Sequence, residues 1–459
     1  MQGSSHTAGI SDTIAALSTP AGVGGVGVIR LSGPRAADIL TQCFRPAGGG
    51  KLEDHPPRQM VYGRLLDREG QTIDRCLAFY TAGTASFTGE ITGELHCHGS
   101  PMVLSLALET LFALGCRQAG PGEFTRRAFC SGKLDLAQSE AVADLLEAQS
   151  RESVRHAAGR LGGALSRRIE EIYQALTQLD AHFCAVLDYP DEDLDPFTAN
   201  TLKTALEGQR QALGGLTDSW RRGRQISQGV PCALVGRPNG GKSSLFNALV
   251  GYDRAIVTPI PGTTRDTVEE RLELGGVPLR LIDTAGLRQA QDPIEQLGVE
   301  RSQAAMEGAG LVLVLADGGK PLAEEDRDLL AQAKKNAPAL LVRTKADLEQ
   351  AAWPVEADVT LSAKTGQGLE DLEAAVARCF PKGEQEGYGE LLSNARQAEA
   401  AGRALGHVEQ ALKALEAGFA PDAVLSDVEQ ALEALGELTG RTVREDVTDC
   451  IFKRFCVGK

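Results

Sequence analysis

Short apolar runs separated by stretches with helical spacing recur through the middle of this chain. Residues 230–235, 279–282, 311–316, 339–343 and 359–361 are such runs. Continuous apolar runs alternating with helical segments predict a parallel, doubly wound sheet whose strands are covered on both faces. On either side the pattern changes. Residues 1 to about 130 mix the β-like runs 26–31 and 76–80 with many glycines and one helical stretch at 102–114. From residue 133 the spacing is helical, with Leu134, Ala137, Ala141 and Leu145 on one stripe. It continues to about residue 185, is interrupted by an acidic loop at 188–193, and resumes over 198–222. Past residue 380 a glycine- and glutamate-rich linker, 381–390, returns the chain to helix. There Val408, Ala411, Leu412 and Leu415 share their spacing with Val428, Ala431, Leu432 and Leu435. The repeat predicts two amphipathic helices packed antiparallel across a turn at Pro421.

These changes predict a multidomain chain of α+β and α/β parts. An N-terminal α+β domain spans 1–131, and a helical domain spans 132–228 and 382–459. An α/β domain, 229–381, is inserted into the helical one. The length of 459 residues fits, being too great for one core. Hydrophobic residues make up 42% and charged residues 24%, an ordinary globular balance. No apolar run approaches the roughly 20 residues of a membrane span, and no leader pattern opens the chain. Ten scattered cysteines without a C-x-x-C pair then read as reduced thiols in the cytoplasm. A net charge of −15 argues against a uniformly basic nucleic-acid binder, though not against a local basic patch.

The chemistry concentrates in the central domain. Residues 236–243 read G-R-P-N-G-G-K-S, following an apolar run and preceding the helical stretch 244–250. That is the context in which G-x-x-x-x-G-K-[ST] cradles phosphates on backbone N–H groups at a helix N-terminus. Asn239, Gly240, Gly241 and Ser244 belong to this loop; Lys242 would lie along the β- and γ-phosphates, and the Ser243 hydroxyl would ligate Mg²⁺. Asp283-Thr284-Ala285-Gly286 follows a strand end, where a carboxylate holds Mg²⁺ through water and the Gly286 N–H meets a γ-phosphate. Thr263 and Thr264 fall between the two motifs and would supply a second hydroxyl to Mg²⁺. Thr344-Lys345-Ala346-Asp347 closes a later strand. Asp347 can accept two hydrogen bonds from the N1–H and 2-amino group of guanine, a pair adenine lacks, which sets GTP over ATP. Ser362-Ala363-Lys364 would place backbone groups near the guanine O6. Leu287 stands where many small GTPases carry a water-orienting glutamine; Glu295 is the nearest plausible group for that role, a solvated glutamate on a helix face being the alternative reading.

Two further patterns lead nowhere. Residues 22–27 match G-x-G-x-x-G but run into a strand-like segment instead of a helix. His96 and His98 would share one face of an extended segment, with no third or fourth metal ligand in view.

The central constellation resembles the translation-factor-related GTPases. Thr344 replaces their usual asparagine, which is expected to weaken the bridge between base loop and phosphate loop. With its flanks the chain resembles the MnmE family of tRNA-modifying GTPases, also called TrmE, over nearly its whole length. The likeness is carried by Asp12-Thr13-Ile14-Ala15-Ala16, by residues 24–33, and by Phe87-Thr88-Gly89-Glu90 and Glu94-Leu95. It continues in Pro121-Gly122-Glu123-Phe124-Thr125, in residues 133–138 and in the terminal Cys456-Val457-Gly458-Lys459.

The resemblance implies a homodimer that works with a flavin-dependent partner, MnmG. Together they would build an aminomethyl or carboxymethylaminomethyl group on C5 of the wobble uridine of tRNA. The N-terminal domain would dimerise and bind a 5-formyl- or methylene-tetrahydrofolate donor through Arg30, Glu94, Lys133 and Lys459. Cys456 would be the terminal cysteine proposed for catalysis. The resemblance also implies K⁺ held by Asn239, Thr258, Ile260 and Thr263, and Glu295 acting on the attacking water through a bridging water. It makes Gly240 the counterpart of a familiar alanine. Without the flanking motifs, the residues equally allow a regulatory GTPase whose flanks bind ribosome or protein.

Overall fold

The computed structural model describes residues 12–83, 85–188, 199–254, 270–282, 306–381, 387–419, 421–443, 445–453 and 455–458. The chain forms two compact units. One comprises Met1–Ala143, Ile169–Pro196 and Lys413–Lys459; the other comprises Asp144–Arg168 and Phe197–Leu412.

The first unit is built on seven strands: β1 (Ile14–Leu17), β2 (Gly24–Ser32), β3 (Phe44–Pro46), β4 (Val61–Leu66), β5 (Thr72–Thr81), β6 (Thr92–Gly99) and β7 (Arg117–Gln118). They lie in the order β3-β4-β5-β6-β2-β1-β7, antiparallel throughout except for β1 beside β7. Alternation decides what each face carries. Ile29, Leu31, Leu95 and Cys97 point into a core closed by the helices Ala36–Cys43 and Pro101–Ala113. Arg30, Glu94 and His96 occupy the intervening positions and are only partly buried. The segment at residues 22–27 does run into a strand, β2, as its sequence suggested.

In the second unit six strands form one sheet: β8 (Val230–Val235), β9 (Glu270–Leu274), β10 (Val277–Leu281), β11 (Leu311–Asp317), β12 (Ala339–Thr344) and β13 (Val359–Thr360). Their order is β13-β12-β11-β8-β10-β9, parallel apart from the β9–β10 hairpin. β11 shows why these strands read as unbroken apolar runs. Leu311, Leu313 and Leu315 enter one core with Leu245, Phe246 and Leu249 of the helix Lys242–Arg254. Val312, Val314 and Ala316 enter another with Ala333 of the helix Glu324–Asn336. Both faces are therefore dry. β8 is the point from which the chain winds to either side, and ligands of open α/β sheets bind beyond the carboxyl end of such a strand.

The helices Leu136–Glu147, Arg151–Leu161, Ala164–Asp188 and Ala199–Gln228 lead into β8; Ala395–Glu416 and Pro421–Thr439 follow the sheet. The two predicted amphipathic helices are thus present, with Pro421 opening the second instead of turning before it, a position where its missing N–H costs nothing. Among the described residues no helix is long and apolar enough to cross a membrane.

Candidate functional site

The segment 236–241 leaves β8 and turns into the helix Lys242–Arg254. Gly236 has φ 144°, and a Cβ there would stand 2.2 Å from the Leu315 carbonyl oxygen, so the loop can pass β11 only as glycine. Asn239 and Gly241 also take left-handed conformations, φ 61° and 94°. Gly240 N donates to Arg237 O at 3.1 Å, and Leu245 N donates to Gly241 O at 2.8 Å, which starts the helix. At Gly240 a Cβ would lie 3.1 Å from the oxygens of Arg237 and Leu315, so an alanine there needs only a small adjustment.

Lys242 is the first residue of that helix and is half-buried. Its Nζ donates to Gly236 O at 2.6 Å and Arg237 O at 2.9 Å, inside the loop itself. Burial lowers its pKa. Ser243 beside it is half-buried; Asn239 and Ser244 are exposed. A helix N-terminus, a lysine and a hydroxyl thus converge beyond β8, an arrangement complementary to phosphate.

The second part lies at the ends of β12 and β13. Thr344 is buried and paired in register with Asp317 of β11. Its Oγ1 lies 2.9 Å from Gly240 O and 3.1 Å from Ala316 O. One hydroxyl proton serves one of them at a time, but the first contact links base loop to phosphate loop directly. The bridge expected to be weak is made, because the threonine hydroxyl sits on a strand end already packed against Gly241.

Lys345 follows with φ 60°, and Ala346 N donates to Leu361 O at 3.1 Å. Asp347 Oδ1 accepts from Ser362 Oγ at 2.6 Å. That bond, above all, holds the Asp347 carboxyl below its ordinary value and keeps it an acceptor. Ala363 is half-buried and Lys364 exposed at the same loop. Asp347→Asn keeps one oxygen for Ser362 but replaces an acceptor by a donor. Guanine nucleotide affinity is expected to fall about a hundredfold and xanthine nucleotide affinity to rise, read by competition binding.

Thr258, Ile260, Thr263, Thr264, Asp283, Thr284, Ala285, Gly286, Leu287, Glu295 and Lys459 lie outside the described residues.

In the first unit, Arg30 and Glu94 are register partners on β2 and β6. Arg30 Nε donates to Glu94 Oε1 at 2.8 Å, and His96 Nε2 lies 2.8 Å from Glu94 Oε2. A carboxylate only accepts, so that ring nitrogen carries the proton. Lys133 is exposed, with its backbone N–H on Ala128 O at 2.8 Å.

The C-terminal tail docks on the same unit. Cys456 O accepts from Gly122 N at 3.2 Å, Val457 bridges Pro121, and Gly458 O accepts from Ser18 Oγ at 3.2 Å. Gly458 has φ 97° with Leu17 O 2.2 Å from where a Cβ would sit. The tail therefore ends against β1, one residue from the pairing of Ala16 with Arg30. The Cys456 side chain is exposed.

Sequence reading missed Arg127. Its side chain is 1% exposed, with Nη2 on Asp12 Oδ1 at 2.8 Å and Glu123 Oε1 at 3.1 Å, and Nη1 on Glu90 Oε2 at 3.0 Å. The signal was the pair of acidic family motifs at Glu90 and Glu123, which here meet on one buried cation.

Sheet order, phosphate loop and the Asp347 loop together define a P-loop GTPase domain. Residues 13–133 match the family model described as GTP-binding protein TrmE N-terminus, and residues 136–456 match the MnmE helical domain. A protein of Roseiflexus sp. strain RS-1 named tRNA modification GTPase MnmE is 43% identical, over 98% of this chain and 99% of its own. Proteins of the same name from Chloroflexus aurantiacus and Heliobacterium modesticaldum are 42% and 40% identical, over 98% of this chain and all of theirs (100%). Among solved structures, the G domain of the T. maritima FeoB iron transporter is 28% identical over 33% of this chain and 99% of that one, with a TM-score of 0.23. The chain belongs to the MnmE, or TrmE, family of tRNA modification GTPases.

Proposed function

We propose that this chain hydrolyses GTP as a homodimer while building an aminomethyl or carboxymethylaminomethyl group on C5 of the tRNA wobble uridine. Its partner in that reading is the flavin-dependent MnmG protein, and the one-carbon donor is a 5-formyl- or methylene-tetrahydrofolate. The observation that carries the GTPase part is Asp347, aimed by Ser362 and tied through Thr344 to the phosphate loop.

Ser243, a hydroxyl at a helix N-terminus, suits a hard cation, and Thr264 would complete the Mg²⁺ set with it. The Asn239 amide, exposed on a left-handed backbone, suits K⁺ shared with Thr258, Ile260 and Thr263. Such a cation would neutralise charge growing on the transferring phosphoryl group, while Glu295 would handle the attacking water.

For the folate donor the set is Arg30, Glu94, Lys133 and Lys459, and Cys456 would be the catalytic thiol. Support comes from the pairing of Arg30 with Glu94 and from the tail's seat on β1. Because Glu94 already occupies Arg30, the two would act on a ligand as one neutral hydrogen-bonding unit, to which His96 belongs as well.

The deciding experiment is mass analysis of tRNA nucleosides from cells lacking this protein. The C5-modified wobble uridines are expected to vanish and to return with the wild-type chain but not with Cys456→Ser. Unchanged nucleosides in the deletion would leave a GTPase without this chemistry.

A further inference from the structure

The base loop is held from two sides, and only one of them is accounted for. Ser362, two residues past the end of β13, aims Asp347 at the far end of the loop. At the near end, the Lys345 Nζ donates to Asp317 Oδ2 at 2.7 Å. Asp317 is the last residue of β11 and the register partner of Thr344. Its other oxygen accepts from Gly319 N at 3.0 Å, and Gly318 N donates to Thr344 O at 3.0 Å. The carboxylate is therefore mounted on a sheet strand and a closed turn. Burial would raise its pKa, but the bonds from Lys345 and Gly319 outweigh that and hold it below its ordinary value.

Lys345 itself has φ 60°, a region that strongly favours glycine, and Gln350 Nε2 donates to its carbonyl at 2.8 Å. A left-handed lysine tethered at its tip fixes where the next two residues go, and the second of those is Asp347. Small misplacements of a recognition group cost disproportionately. The tether also neutralises the ammonium, so Lys345 would offer a base its aliphatic stem and little charge.

We propose that Asp317 is a positioning residue for guanine recognition, acting through Lys345 to aim Asp347. The proposal rests on reading this loop as the guanine site. That reading fails separately, if the wild-type chain binds ADP as well as GDP.

The test is a double-mutant cycle on the full chain, with fluorescent GDP as probe and IDP, which lacks the 2-amino group, as competitor. Asp317→Asn keeps an oxygen for Gly319 and removes the charge that holds Lys345. It is expected to weaken GDP about tenfold, the size of one charge-assisted hydrogen bond. It should narrow the preference of GDP over IDP and leave turnover at saturating GTP within about twofold, since the phosphate loop is untouched. In a Lys345→Met background the same change should add nothing. Wild-type affinity in Asp317→Asn, an unchanged GDP-to-IDP ratio, or losses that add in the double variant would each overturn it. Should Asp317→Asn not fold, Lys345→Met alone decides: wild-type GDP affinity there overturns the proposal too.

Discussion

Lys242→Ala is expected to slow GTP hydrolysis by about 10²–10³-fold at saturating nucleotide, the usual loss when one preorganised charge is taken from a reacting oxyanion. The effect follows from where the ammonium is held. Lys242 opens the helix after β8, and its Nζ rests on two carbonyls of its own loop, Gly236 O and Arg237 O. These fix the direction of the side chain before any nucleotide arrives, so little order remains to be imposed in the transition state. Burial lowers its pKa, which marks an ammonium stripped of part of its hydration. A triphosphate would restore what burial removes, and charge transferred to the phosphate oxygens would be felt at low dielectric. Single-turnover rates with saturating GTP are the measurement. A rate within fivefold of wild type would mean another cation stabilises the phosphoryl group. Hydrogen exchange over 230–235 serves as the control, since the loop hydrogen bond of Gly240 and the helix start at Leu245 do not use this side chain.

The parts of this site that were legible in the sequence are local ones. The phosphate loop could be read because its glycines, lysine and serine are contiguous and its flanking strand is apolar on both faces. β9 was missed for the opposite reason. It is an edge strand, Glu270–Leu274, with Glu270 half-buried and Arg271 exposed, so its alternation is too short and too polar to stand out. Of β6 only the stretch at His96 and His98 read as extended, and the rest was hidden differently. Its inward positions include Gly93 and Gly99, small enough to let Leu40 and the β2 backbone approach, and glycine disguises the alternation of Leu95 and Cys97 with Glu94 and His96. The helix Glu324–Asn336 looks polar because its core stripe is narrow, with Asp326 and Ala333 its buried residues. In the site, what escaped were relations set by register. Lys345 reaches Asp317 because β11 and β12 pair Asp317 with Thr344 across 26 intervening residues of chain, the same register that seats the expected Thr344 bridge on Gly240. No spacing rule announces that pairing.

The same limit applies most strongly to Arg127, and its removal should have the larger structural consequence. Arg127→Met is expected to destabilise the first unit by about 3 kcal/mol, the low end for breaking a buried ion pair, because Asp12 and Glu90 keep some contact with water. The methionine fills most of the volume, so the loss is of charge and hydrogen bonds more than of packing. Three carboxylates converge on this guanidinium, and Arg117 shares two of them, at 2.7 Å from Asp12 Oδ2 and 2.5 Å from Glu123 Oε1. Glu90 is held in turn by Ser32 Oγ at 2.7 Å. Without Arg127 the buried ends of Glu90, Asp12 and Glu123 repel one another. Glu123 opens the helix beside Gly122, whose N–H carries the tail at Cys456, so the tail should loosen with the network. Burial raises the pKa of both Asp12 and Glu123, and the bonds and charges of Arg117 and Arg127 reverse that, leaving both below ordinary carboxylate values. A depressed acid stabilises fully above its unfolded value, about 4, and loses that contribution as the pH falls through its folded value. Wild-type stability should therefore decline below about pH 4, and Arg127→Met should decline less steeply from a lower starting point. Hydrogen exchange of β1, β2 and β6 across that pH range measures both. Equal protection in the two proteins at neutral pH would show that Arg117 alone suffices to hold the acids.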